Sequence, residues 1–490
     1  MKKKLFVFLI PIVLITISLL PRKENKELVS NTDNLVSFTV DGVESKTMPT
    51  KGSGYIANKI TCKNGSIITF DNDNYIIEVE KLESADACKI DFSKEKGSNT
   101  VTVTISNTNK IDSTSKTTTE GGKVVFYLTG EPESITGGEY TLSSNKLIVN
   151  NIISNINLNI TMSKTLYDQL LIDNSTIKTR TDFDTTFTET NTGTLYKATE
   201  SIAGNTPKDV YYFAGDAKNN WVKFGGFYWR IIRTNYDGSI RLLYSGTSHN
   251  TTEGYIGKSA FNSTFKDPMY VGYMYGTSGS LDSNRTNTNN STIKTYIDNW
   301  YNNNLSSYSK YISTEAVYCN DRELAQGSTY KTGNTTFDYA PRGRLDTNKT
   351  PAYNCTNIKD AFSGSNSEAK LTYPIGLMTA DEVAYAGGKA FTNLPSPYAW
   401  YYLNSSGESI TGSTLWWTLS PTWYMGGNSS VWKVYGSSNS GKNPGSLDII
   451  IVGNPLGVRP AISLKSCTLY STGDGSVSDP YTIKETTSGC

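Results

Sequence analysis

Six cysteines constrain this chain more than any other feature, because along the sequence they fall into three neighbouring pairs: Cys62 with Cys88, Cys319 with Cys355, and Cys467 with Cys490. None of the pairs has the short spacing that a zinc site uses, and the single histidine, His249, offers little to complete one. An even count at long spacings predicts local disulfides, and disulfides persist in an oxidising compartment. The expectation is an exported protein with three bridges, no metal and no other cofactor.

The first residues agree with export. Lys2, Lys3 and Lys4 precede an apolar run from Leu5 to Leu20 whose polar residues are Thr16 and Ser18. The run is slightly short of the ~20 residues of a spanning helix, which leaves a cleaved signal and an uncleaved anchor both open. Pro21, Arg22 and Lys23 stand where cleavage needs small residues, which favours the anchor. Lysines on the amino side would keep that end in the cytoplasm. The expected location is therefore the cell membrane, single-pass with an extracellular body, or secretion if the segment is cleaved. The membrane is the first expected partner.

Charge excludes another class of partner. With 46 basic and 45 acidic side chains, the net charge is +1, so the chain carries no electrostatic footprint for nucleic acid. Its 490 residues exceed what one core usually serves, and ~150 residues per domain suggests about three units. Aromatic residues make up 11% of the chain, and Ser, Thr, Asn and Gly fill the connecting segments, a mixture suited to twisted sheets with polar loops.

The expected fold class is multidomain: an N-terminal transmembrane helix, two small all-β modules and a C-terminal α+β domain. Residues 1–30 form the signal anchor and juxtamembrane segment. In 31–95, alternating residues such as Val36, Phe38, Val40 and Ile76, Val79, broken by Asp41-Gly42 and Asn64-Gly65, predict hairpins stapled by Cys62 and Cys88. Asp71-Asn72-Asp73-Asn74 lacks the glycine and distal glutamate of an EF-hand calcium loop and reads as a solvated turn. In 96–163, the alternation of Val101, Val103, Ile105 and of Ile156, Leu158, Ile160, Met162 predicts a sandwich-like module. Its rhythm resembles the small repeat-type β modules of bacterial surface stalks. Residues 164–208, a short helix at Leu166 to Ile172 and then a Thr-rich passage, read as a linker.

A different texture begins at 209. Aromatic strands turn at Asp237-Gly238. Ser291 caps a helix with apolar positions Ile293, Tyr296, Ile297, Trp300, Tyr301 and Leu305, and Thr379-Ala380-Asp381-Glu382 is a capping box opening a second helix that Gly387-Gly388 stops. Trp416 to Pro421 predicts a strand ended by Ser-Pro, and Val458 to Leu464 a closing strand. Residues 467–490 form a tail closed by its own disulfide. Three segments, Phe224 to Ile231, Trp416 to Pro421 and Gly457-Val458-Arg459-Pro460-Ala461-Ile462, resemble a bacterial surface domain-of-unknown-function family with a C-type-lectin-like fold. That family is related in fold to formylglycine-generating, sulfatase-modifying enzymes. The resemblance implies a C-type-lectin-like domain over 209–466.

The aromatic residues Trp423, Tyr424 and Trp432, with Asn428 among them, fall in the region that such domains use for binding, and aromatic faces beside amides suit sugars or protein partners. Four sharper readings fail. Gly436 to Asn443 nearly matches a phosphate-cradling loop but lacks its Ser or Thr and runs into Pro444-Gly445. His249 sits in a turn-like stretch with no nucleophile motif nearby. Asp381 and Glu382, adjacent in a first helical turn, suit capping better than glycoside hydrolysis. Arg459 suits a buried carboxylate or carbonyl better than a ligand. The resulting expectation is a membrane-anchored surface protein whose head binds an extracellular glycan or protein without catalysis. The alternatives are a relative of formylglycine-generating oxidases using Cys319 and Cys355, or another extracellular enzyme, or a structural envelope component.

Overall fold

Residues 36–95, 97–437 and 444–490 are described by a computed structural model of the chain. The expected membrane segment lies outside these residues, as does most of the phosphate-loop look-alike. The expected fold class is corrected: the structure is mostly β, with 39% strand and 13% helix, and among the described residues no helix is long and apolar enough to cross a membrane. Both anticipated helices of the C-terminal region form, but they span only Thr292–Asn304 and Ala380–Ala386. Helix caps are strong local signals, whereas strands of two or three residues, of which this chain has many, show no alternation to read.

The chain divides into two units, one comprising residues through Thr129 plus Ile135–Ile160, the other Gly130–Ser134 plus Thr161–Cys490. In the first, Val36–Val40 and Val43–Ser45 form a hairpin through Asp41-Gly42, whose φ values of 50° and 82° are those of a tight mirror-image turn. Val36–Val40 also runs parallel to Cys88–Lys94, which pairs on its other side with Tyr55–Cys62. Asn64-Gly65 closes no hairpin, because Tyr55–Cys62 and Ile67–Asp71 on either side of it belong to different sheets. Cys62 and Cys88 face each other in register and are bonded. Asp71 Oδ1 accepts the N–H groups of Asp73 and Asn74 within a turn. Farther on, Ser98–Ile105 pairs with Ile156–Met162 in parallel and with Ser115–Thr119 antiparallel, burying Val101, Val103, Leu158 and Ile160.

The second unit holds an eight-stranded and a six-stranded sheet. The former runs in the order Thr176–Lys178, Thr194–Glu200, Lys208–Tyr212, Phe227–Thr234, Ile240–Tyr244, Pro460–Leu464, Ile375–Leu377, with Trp221–Phe224 beside Phe227–Thr234. The stretch 164–208 is thus no linker: it supplies two strands of this sheet and a third that pairs elsewhere, and Leu166, Leu170 and Leu195 enter the main core. Neither does the tail stand apart. Tyr481 is buried in that core, and its backbone exchanges hydrogen bonds with Trp221 and Lys223.

Trp416–Met425, Asn428–Val434 and Leu447–Ile451 are consecutive neighbours in the six-stranded sheet. The aromatic strand does not end at Ser420-Pro421. It continues to Met425, and register shifts on both sides of Pro421 mark the irregularity at which a strand tolerates proline. Val458 to Leu464 does not close the same sheet, since Pro460–Leu464 belongs to the larger one.

Candidate functional site

Continuation of that strand removes the aromatic binding loop. Tyr424 is buried and its hydroxyl donates to Lys266 O at 2.9 Å. Trp432 is buried, its ring 5.7 Å from that of Phe391. Trp423 is half-buried under the Arg342 guanidinium, 4.0 Å above its ring. Asn428 opposes Met425 at the hairpin end and its Nδ2 donates to Gly426 O at 3.3 Å. Alternation along paired strands sends two of the four side chains into the core, so they present no common face.

The charged residues gather elsewhere. Glu382 sits at the third position of its helix, where Thr379 Oγ1 accepts its N–H and its own Oε2 accepts the Thr379 N–H. That reciprocal cap leaves Oε1 to receive Arg233 Nε and Arg241 Nη1, each at 2.8 Å, and Arg233 Nη2 reaches Glu200 at 2.9 Å. Burial pushes the Glu382 carboxyl up, but Arg241 and Arg233 with the Thr379 N–H outweigh it and hold it below the usual range. Beside this group, Arg344 joins Asp321 at 2.6 Å and Asp381 at 3.0 Å. Burial raises the Asp321 carboxyl despite Arg344. The space among them, bordered also by Cys319, measures ≈ 20 Å³, room for about one water. Asp381 and Glu382 are therefore locked in ion pairs with no volume for a sugar between them.

The remaining candidates are also held by structure. Arg459 is buried, donating to the carbonyls of Tyr244 at 3.1 Å and Tyr401 at 2.7 Å, and burial, then the nearby Arg230, pushes it down to about 9. His249 Nδ1 meets Ser405 Oγ at 2.6 Å. Cys319–Cys355 and Cys467–Cys490 are bonded, like Cys62–Cys88. Cys62, Asp86 and Cys88 cluster closely enough to suggest a metal site, but both sulfurs are in the disulfide and Asp86 accepts the N–H groups of Asn64 and Ser66.

An open cleft of ≈ 520 Å³ lies along the helix Thr292–Asn304. Ser291 caps this helix: its Oγ accepts the Lys294 N–H at 3.2 Å and donates to Tyr273 O at 2.8 Å. Ile293, Ile297 and Tyr301, four residues apart, are buried, which turns Thr292, Thr295, Tyr296 and Asn299, at offsets of 0, 3, 4 and 7, toward the cleft. The Thr292 hydroxyl accepts the Ser263 N–H at 2.9 Å, tying the helix to the segment that carries Asn262. Tyr275, on the two-residue strand Met274–Tyr275 that pairs antiparallel with Asn289–Asn290, forms another part of the lining. Among the described residues, no Asp, Glu, Lys, Arg or His is in the lining. Lys294 and Asp298 of the same helix pair with each other at 2.5 Å and stay out of the cleft.

This cleft escaped the reading of the sequence because Tyr296 fits an apolar stripe. It is only partly buried, and its hydroxyl donates to Ile256 O at 3.3 Å. The available signal was the complementary polar period of Thr292, Thr295 and Asn299. Comparison with protein-family models, with curated proteins and with solved structures gave no match.

Proposed function

We propose that the protein is an exported, non-catalytic binding protein whose larger unit takes an uncharged extracellular ligand in the cleft beside Thr292–Asn304. The observation that carries this reading is an open cleft of ≈ 520 Å³ with no charged side chain among the described residues of its lining. Its volume falls in the ~300–1,000 Å³ range of small-ligand sites. Hydroxyls and amides can orient a ligand, and among the described residues the lining supplies no carboxylate or imidazole, the groups that most often do general acid–base work. The three disulfides support export.

Arrays of glycans and of extracellular proteins, probed with the full chain, test the reading. Saturable binding is expected, abolished by Asn299→Arg, with the ligand recovered chemically unchanged. Cleavage of the ligand, or binding indifferent to Asn299→Arg, would overturn it. Titration of the native protein should find all six cysteines blocked.

A further inference from the structure

Resting on that binding role, we infer that the ligand is a neutral saccharide. Its hydroxyls meet the hydroxyl and amide side chains of the cleft, with Asn262 as the specificity-determining donor, and its ring packs against Tyr275 and Tyr296.

Asn262 carries the inference. It lines the cleft, is only 3% exposed, and among the described residues its Nδ2 has no hydrogen-bond partner. A buried donor left without an acceptor is costly. Other buried polar atoms of the described residues also lack a partner, Trp432 Nε1 and Arg241 Nε among them, but it is Asn262 that lines the cleft, where an arriving acceptor can meet it. The terminal torsion of an asparagine is broad and soft, so the amide can turn its free donor to an arriving acceptor. A sugar hydroxyl both accepts and donates, as do the Thr295 hydroxyl and the Asn299 amide on the rim.

The rings supply the other half of pyranose recognition. Tyr296 is held by its hydroxyl on Ile256 O at 3.3 Å, and Tyr275 stands edge-on to Tyr270 with centroids 5.3 Å apart. Both remain partly exposed. A partly exposed aromatic ring in a polar cleft suits a ligand that is apolar across its C–H face and polar at its edge. Acidic sugars fit poorly, because a carboxylate or sulfate would leave water for a site with no countercharge. A protein partner fits poorly too, since it would need a contact of ~800 Å² per side rather than a small concavity.

The test uses the full chain on an array of uncharged hexose and N-acetylhexosamine oligosaccharides beside sialylated and sulfated ones. Neutral oligosaccharides should bind, with an affinity indifferent to NaCl between about 0.05 and 0.5 M. Asn262→Leu keeps the side-chain size and removes a buried unpartnered donor, so the unfolding midpoint should hold or rise while affinity falls about tenfold. Tyr275→Phe should bind as the native protein does, and Tyr275→Ala should lose about tenfold. Binding restricted to charged glycans, affinity that follows salt, or full affinity in Asn262→Leu would overturn the saccharide assignment. A protein ligand displaced by Asn299→Arg would also overturn it while leaving the binding role intact. Silence on both the glycan and the protein arrays would overturn the binding role itself.

Discussion

The ion-pair lattice around Glu382 and the cleft beside Thr292–Asn304 belong to the same unit and divide chemistry between them: one has charge without space, the other space without charge. In the lattice, Arg233, Arg241, Arg344 and their carboxylates surround ≈ 20 Å³. In the cleft, neutral hydroxyls and amides border ≈ 520 Å³. A concentration of perturbed titratable groups often marks a functional site, but structural ion-pair networks produce the same sign. Volume distinguishes the two cases here. The lattice ties the strand Phe227–Thr234 and the neighbouring Ile240–Tyr244 to the helix Ala380–Ala386, so its role is to hold the sheet and helix together.

The largest effect should come from removing the shared carboxylate. Glu382→Ala leaves the Arg233 and Arg241 guanidinia buried beside a cavity, and breaking a buried pair this way costs about 3–5 kcal/mol. Urea denaturation measures the loss. A mild stability change together with abolished binding would instead make the lattice the functional site and break the comparison. Next in size is the bridge at the lattice edge. Cys319–Cys355 spans 36 residues, and replacing both cysteines by alanine should cost about 3–4 kcal/mol.

Acid probes the same lattice from its titration. The Glu382 carboxyl is held below its ordinary 4.5, so its contribution is fully present above pH 4.5 and disappears as pH falls through the lower folded value. Each unit of depression contributes about 1.4 kcal/mol. Asp321 is raised and acts with the opposite sign, gaining stability for the fold as it protonates. Urea midpoints should therefore drop below pH 4.5 in the native protein, and Glu382→Gln should flatten that drop. An acid limb unchanged in Glu382→Gln would assign the titration to other groups.

What could be read in the sequence was local. Ser291, the Thr379–Glu382 box, the Asp41-Gly42 and Asp237-Gly238 turns and the three cysteine pairs each depend on residues close along the chain, and each forms. What misled was long-range. Asn64-Gly65 has hairpin chemistry, but the strand after it pairs with Ile76–Lys81 instead of turning back on Tyr55–Cys62. Ser420-Pro421 has strand-ending chemistry, yet the irregular register there lets pairing with Asn428–Val434 carry the strand to Met425. Once it continues, Tyr424 and Trp432 point into a core. The cleft is less legible still, because Asn262, Tyr275 and Thr295 come from three separate segments, and only the helical period of Thr292, Thr295 and Asn299 hints that a polar face exists.

The smallest stability effect is the sharpest test of the contrast between the two regions. Asn299 lies within the helix Thr292–Asn304, is exposed, and among the described residues its side chain has no protein partner. Alanine is the better helix former by up to ~0.7 kcal/mol. Asn299→Ala should therefore leave the protein as stable as before or more stable by a few tenths of a kcal/mol, measured as a urea midpoint. If the amide serves a ligand, the same substitution should weaken binding several-fold, giving stability and affinity changes of opposite sign. Residues kept for function often sit below their stability optimum in this way. In the lattice no such opposition is expected at Glu382, whose carboxylate is held in place by Arg233 and Arg241. A variant at position 299 that lost both stability and binding would make the cleft wall structural and erase the distinction.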